Sequence, residues 1–119
     1  MIAGIGIDLV ELDRLAIILQ KQERFSERIL TPKEHEHFLK LSNHRQIEFL
    51  AGRFAAKEAF GKAMGTGIGS DFSFQDLEVM PNEKNKPIAV STLFAGKIHL
   101  SISHSKEYAI AQVVLEEKK

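Results

Sequence analysis

An α+β fold, with an antiparallel sheet packed on one long central helix, is predicted by three features of this sequence. Helical periodicity runs through the first half, and short apolar runs separated by turn residues fill the second. Between them, residues 45–64 are the longest stretch of strong helix formers. The 119 residues suit a single domain over 1–119, because two cores would leave each half near the lower limit for unaided folding. A hydrophobic share of 44% and a charged share of 27% exclude a disordered or collagen-like chain.

Residues 2–9 form an Ile-rich apolar run that predicts a buried strand ending at Asp8. From Leu12 the period changes: Leu12, Leu15, Ala16 and Leu19 share one helical face, with Glu11 and Asp13 in the first turn. Thr31-Pro32-Lys33-Glu34 predicts the next helix start. Thr31 caps, Pro32 suits the first helical position and Glu34 closes a capping box, with the helix ending near Leu41. The long helix follows, with Gly65 as its C-terminal cap and a loop over 66–69. Residues 77–79 and 88–90 flank a turn-rich segment and read as two short strands, and a short helical stretch is expected near 92–95. Ile98, Leu100 and Ile102 alternate with His99, Ser101 and Ser103 as a half-buried strand. Residues 108–115 are its partner across the turn 104–107, and 116–119 are a solvated tail.

Several function classes fall away on composition. With no Cys there is no disulfide, thiolate zinc site or cysteine nucleophile. Sixteen Lys+Arg balance 16 Asp+Glu, so global charge does not point to nucleic acid. No segment reaches the ~20 apolar residues that span a bilayer. The N-terminal run lacks a basic leader, so a cytoplasmic protein is expected.

Two acids interrupt apolar patterns. Asp8 closes the first run, and at about 100° per residue Ile47, Ala51, Phe54 and Glu58 fall in one stripe with the inward-facing apolar residues. Lys62 shares that stripe one turn later. The plainer alternatives are a strand-end carboxylate facing water and an i,i+4 Glu58–Lys62 pair worth ~0.2–0.5 kcal/mol. Acids that meet in space would instead suit magnesium, which takes one or two carboxylates plus waters and substrate phosphates. The glycines at 65, 67 and 69 follow a helix, whose C-terminal end repels anions, so they are not a phosphate loop. Phosphate binding would then fall to Arg53, Lys57 or Lys62 and to loop amides. His35 and His37, two apart on a helix, point about 200° apart and cannot share an ion. His104 lies at a strand end beside Ser103, Ser105 and Lys106. Arg14, Ile18 and Lys21 form a separate stripe, with Arg24 and Phe25 shortly after. That pattern suits either a solvated face or a dock for an acidic amphipathic helix.

Gly4-Ile5-Gly6-Ile7-Asp8-Leu9-Val10-Glu11, Arg53-Phe54-Ala55-Ala56-Lys57-Glu58-Ala59-Phe60-Gly61-Lys62-Ala63, Gly65-Thr66-Gly67-Ile68-Gly69 and Leu100-Ser101-Ile102-Ser103-His104-Ser105 occur in that order. Together they resemble the holo-[acyl-carrier-protein] synthase family, the small type of the 4′-phosphopantetheinyl transferases, over essentially the whole chain. The central-helix motif is the specific one. Lys84-Asn85-Lys86-Pro87 departs from the family, where a Gly often precedes Lys-Pro.

The resemblance implies a 4′-phosphopantetheinyl transferase-like fold. It also implies transfer of phosphopantetheine from coenzyme A to a serine of apo-acyl carrier protein, with release of adenosine 3′,5′-bisphosphate, in fatty acid biosynthesis. Asp8 and Glu58 become Mg2+ ligands, and Lys62 faces the diphosphate. Arg53, Gly65, Thr66, His104 and Ser105 become the coenzyme A cradle. Arg14, Ile18, Lys21, Arg24 and Phe25 become the carrier dock. A homotrimer with sites between protomers is implied; no nucleic acid or membrane partner is. Glu58 or a metal-bound water would serve as general base. A reading from another class is a non-catalytic coenzyme A or nucleotide-binding module that docks an acidic partner. The acids favour the enzyme, since a plain anion site gains nothing from added carboxylates.

Overall fold

The computed structural model describes residues 1–69 and 71–118, so the last residue of the expected tail lies outside the described residues. Strand β1 (Ile2–Glu11) leads through helices α1 (Leu12–Lys21), α2 (Phe25–Ile29) and α3 (Pro32–Leu39) to α4 (Asn43–Met64). A hairpin of β2 (Glu78–Pro81) and β3 (Pro87–Val90) follows, then β4 (Lys97–His104) and β5 (Tyr108–Glu116). The main sheet is antiparallel with order β1-β5-β4, and β2-β3 forms a second, two-stranded sheet. This is the α+β arrangement the sequence predicts.

Local chemistry sets the helix ends. Thr31 Oγ1 accepts from the Glu34 amide at 3.3 Å while Glu34 Oε1 accepts from the Thr31 amide at 2.8 Å, completing the expected capping box. Gly65 ends α4 with φ 82°, a left-handed conformation that an L side chain rarely adopts. Helix α2 was not expected, because five residues are too few to display a helical period. Residues 92–95 form a turn and a bend rather than the expected short helix. Glu11 sits at the cap of α1, without a side-chain cap bond, rather than in its first turn.

The core lies between α4 and the inner face of the main sheet. Ala109, Ala111, Val113 and Leu115 of β5 are buried there against Ala55, Ala56, Ala59 and Phe60. Small residues bring the layers together. A Cβ on Gly4 or Gly6 would lie 2.1 Å and 2.0 Å from the carbonyl oxygens of Ala63 and Ala59, so α4 rests on the β1 backbone itself.

The first strand departs from expectation in two ways. It runs on past Asp8 to Glu11, and only one face is covered: Gly6 and Val10 are buried, whereas Ile5, Ile7 and Leu9 are 63%, 53% and 59% exposed. An unbroken apolar run usually marks a strand buried on both faces. Here β1 is a sheet edge whose outer side carries the isoleucines. No helix of the described residues is long and apolar enough to cross a membrane.

Candidate active site

Side chains alternate along a strand, so Asp8 shares the α4-facing side of β1 with Gly4 and Gly6. Where those glycines admit the helix backbone, Asp8 meets the helix side chains instead. Lys62 Nζ donates to Asp8 Oδ1 at 2.9 Å and to the Ile7 carbonyl at 3.0 Å. The i,i+4 Glu58–Lys62 pair therefore does not form; the lysine reaches across to β1. Burial pushes the Glu58 carboxyl above its ordinary range, with the neighbouring Asp8 charge adding to the shift and Lys62 and Arg14 opposing it. Asp8, Glu58, Lys62 and Arg14 thus belong to one electrostatic cluster.

The position of Glu58 corrects its sequence reading. Ile47, Phe54 and Glu58 are half-buried and Lys62 is exposed, so this stripe is the open side of α4. Ala51 alone in the stripe is fully buried. Between Phe49 and Ala63 the helix is buried nearly all round, so apolar residues occupy every side and their period does not mark an inward face. Glu58 is thus half-exposed rather than turned into the core.

At the C-terminal end of α4, the amides of Thr66 and Gly67 both donate to the Gly61 carbonyl, at 3.2 Å and 3.0 Å, and that of Gly65 donates to Lys62. The amides of residues 65–67 are thus already engaged, and Thr66 is exposed, with its hydroxyl to offer. Ser105 is similar. Its hydroxyl accepts from the amides of Glu107 and Tyr108 at 3.3 Å and 3.0 Å to form the β4–β5 turn, leaving its proton to donate.

A second cluster surrounds a cavity of about 360 Å³ bordered by Arg45, Phe49, Arg53, Asn85 and His104, among others. Arg53 lies with its guanidinium carbon 4.0 Å from the Phe49 ring centroid, and its Nε donates to the Val79 carbonyl at 3.3 Å. Burial lowers Arg53 to about 10, with Glu34 opposing the shift, so it stays cationic at neutral pH. The His104 Nε2 lies 3.1 Å from the Glu48 carbonyl oxygen. Gly52 makes room for it, since a Cβ there would approach that nitrogen to 3.2 Å. Sequence reading missed Arg45 and Asn85. A basic residue in the first turn of a helix opposes the helix dipole, and that was the available signal for Arg45.

The two clusters are not adjacent. Arg53 and Lys62 are nine residues apart on one helix, which places them about 180° apart around it and about 13.5 Å along it. Lys57, offered above as a phosphate contact, belongs to neither. It is fully buried, donating to Glu34 Oε1 at 2.6 Å and to the Ile29 carbonyl at 2.7 Å. Among the residues expected to dock the carrier, Arg14, Lys21 and Arg24 are exposed and Ile18 is half-buried, while Ile17 is the more exposed isoleucine at 51%. Phe25 packs against Phe54 at 6.3 Å between ring centroids, so much of it serves the fold. His35 and His37 diverge as expected: one lies 3.3 Å from the Ser26 hydroxyl, the other packs on Phe49.

A sequence model of the 4′-phosphopantetheinyl transferase superfamily matches residues 4–113. The chain is 55% identical over 116 residues to the holo-[acyl-carrier-protein] synthase of Anoxybacillus flavithermus, covering 98% of this chain and 97% of that protein. A holo-(acyl-carrier-protein) synthase from Bacillus anthracis, solved in complex with CoA (3′,5′-ADP), superposes with a TM-score of 0.93 at 53% identity, over 99% of each chain. The holo-[acyl-carrier-protein] synthase of Helicobacter pylori, solved with coenzyme A, gives 0.84 at 34% identity, over 94% of this chain and 99% of that one.

Proposed function

Because this chain belongs to the holo-[acyl-carrier-protein] synthases of the 4′-phosphopantetheinyl transferase superfamily, we propose that its reaction centre is built from the carboxylates of one protomer and its coenzyme A anchor from the cations of another. It transfers the 4′-phosphopantetheine group of coenzyme A to a serine of apo-acyl carrier protein, in service of fatty acid biosynthesis. The alternative of a non-catalytic binding module falls with that membership. Residues 1–119 act as one transferase domain.

Asp8 and Glu58 stand at the reacting diphosphate. Their chemistry fits Mg2+: two hard oxygen donors, mutually repelling and on the open side of α4, leave further positions for water and phosphate oxygens. When bound, the ion supplies charge neutralisation at the diphosphate and orients it for transfer. Lys62, already on Asp8, turns its ammonium toward the same phosphates. Glu58, or a water held beside it, accepts the proton of the carrier serine. Adenosine 3′,5′-bisphosphate leaves as the phosphopantetheine phosphate is taken by that serine.

Coenzyme A carries one further anionic group, the 3′-phosphate of its adenosine. Arg45 and Arg53 supply the cations for it, with His104, Asn85 and Pro87 at the edge of the same cavity. The observation that carries this reading is the opposition of Arg53 and Lys62 across α4. One extended molecule touching both within a single chain would have to wrap the helix. Two copies of the chain, edge to edge, bring the Lys62 side of one against the Arg53 side of the next. The outer sheet face supports such an assembly, a homotrimer: exposed Ile5, Ile7 and Leu9 run beside Val114 and Ile110 of β5, an apolar edge that a monomer would leave in water.

Mixing inactive protomers tests the division. Lys62→Ala and Arg53→Ala assemblies should each convert apo-carrier protein poorly by intact mass. Co-assembled at equal ratio they should regain about a quarter of the wild-type rate, because one site in four then takes both intact halves. No gain on mixing would place both residues in one protomer's site.

The carrier docks on α1 and the turn that follows it, where exposed Lys21 and Arg24 steer an acidic helix and Arg14 leads toward Glu58. Lys21→Glu with Arg24→Glu should raise KM for the carrier about tenfold and leave KM for coenzyme A unchanged. The wild-type KM for the carrier should worsen with salt, since exposed charges are screened over about 8 Å at physiological ionic strength. A double variant that handles carrier like wild type at low salt would move the dock elsewhere. Arg14 is spared in this test because it also acts on Glu58.

A further inference from the structure

The guanidinium of Arg53 is held on two sides by groups the transfer reaction does not use. Beneath it lies the ring of Phe49, 7% exposed, with its centroid 4.0 Å from the guanidinium carbon. At one edge the Val79 carbonyl accepts from Nε at 3.3 Å, and Val79 is itself fixed by its amide donating to Glu34 Oε2 at 2.6 Å. The Phe49 ring is held in turn by His37 and Phe38, at 5.0 Å and 6.4 Å between centroids. A planar cation gripped by one face and one edge has a single orientation left, and Arg53 borders the cavity between these supports.

We propose that Phe49 is a positioning residue for coenzyme A recognition, setting the plane in which Arg53 presents its Nη groups to the 3′-phosphate. This rests on the assignment of Arg45 and Arg53 to that phosphate. A guanidinium matches a phosphate through two parallel N–H bonds, which demand a fixed plane far more than a point charge does. Holding that plane in advance removes rotamer entropy otherwise lost on binding. Being largely withdrawn from water, the cation keeps most of its attraction for an incoming dianion. An aliphatic side chain of similar size would fill the core equally well but would offer no ring face.

The test compares coenzyme A with 3′-dephospho-coenzyme A in the full-length enzyme, using the ratio of the second KM to the first. Phe49→Leu should lower that ratio about five- to tenfold, with kcat at saturating coenzyme A within about twofold, and Phe49→Tyr should restore it. Should Phe49→Leu not fold, Phe49→Met carries the same expectation. Equal changes in KM for both substrates, or a loss of kcat at an unchanged ratio, would mean that Phe49 only packs, and would overturn the inference. Arg53→Ala is measured in parallel and should bring the ratio close to one. If it leaves the ratio at the wild-type value, the phosphate assignment fails and the inference with it. That result is distinct from one in which Phe49→Leu alone is silent.

Discussion

Glu58→Gln is expected to lower kcat by at least ~10²-fold while the protein remains as stable as the parent, or more so, at neutral pH. The two halves of that expectation come from one cause. Burial first, and the Asp8 charge second, hold the Glu58 carboxyl above its ordinary value of 4.5, so the folded protein favours the protonated form. A carboxyl raised in this way contributes stability that is fully present below its unfolded pKa and is lost as the pH rises through its folded pKa. At neutral pH Glu58 is therefore charged at a net cost to the fold, and the neutral isostere removes that cost. Catalysis runs the other way, because the carboxylate is the form that accepts a proton and binds a hard cation. In the metal-free protein the Glu58 carboxyl should accordingly titrate above the ordinary glutamate range, a shift that a bound cation would oppose. Asp8→Asn should lower that metal-free titration by taking away a like charge, and should also cost about 10²-fold in rate. Thermal unfolding beside steady-state rates checks both halves. Near-wild-type turnover of Glu58→Gln at limiting magnesium would remove Glu58 from the reaction centre.

Lys57→Met should have the largest effect on stability, a loss of about 3–5 kcal/mol, read as a fall in Tm of roughly 10–20 °C. Lys57 and Glu34 are both fully buried, 2.6 Å apart, and burial lowers the Lys57 pKa while Glu34 opposes it. Such a pair adds little over an apolar replacement of both partners, but removing one leaves a bare charge in the core. Glu34 also accepts from the amides of Thr31 and Val79, tying the start of α3 to β2. Combining Lys57→Met with Glu34→Gln should therefore cost less than the sum of the single changes, since Gln keeps an acceptor oxygen without the charge. Strict additivity, or a single-variant loss below about 1 kcal/mol, would show that the pair is not coupled as its geometry implies.

These two predictions stand at opposite ends of what could be read in the sequence. Glu58 and Asp8 were legible as acids interrupting apolar patterns, but the apolar stripe that holds Glu58 does not face inward. It lies on the open side of a helix buried nearly all round, where apolar period carries no information about direction. The Glu34–Lys57 pair was not legible. Glu34 was recognised for its local part in the capping box, which it plays, and nothing in a window of a few residues reports a partner 23 positions away.

What the sequence determined by itself is what short-range physics controls. The capping box at Thr31, the left-handed stop at Gly65, the alternation in β4 and the helix-forming run of α4 each depend on neighbours within about four residues. The tertiary structure decided which of several available partners each group took. Lys62 chose Asp8, 54 residues away, over Glu58 one turn back. The Ile-rich run of β1 was placed at an edge with its outer face uncovered, and Arg53 and Lys62 were set on opposite sides of α4. The cost of burying a charge or exposing an isoleucine is set by whatever lies across the space between chain segments. The order of residues along one segment does not contain it.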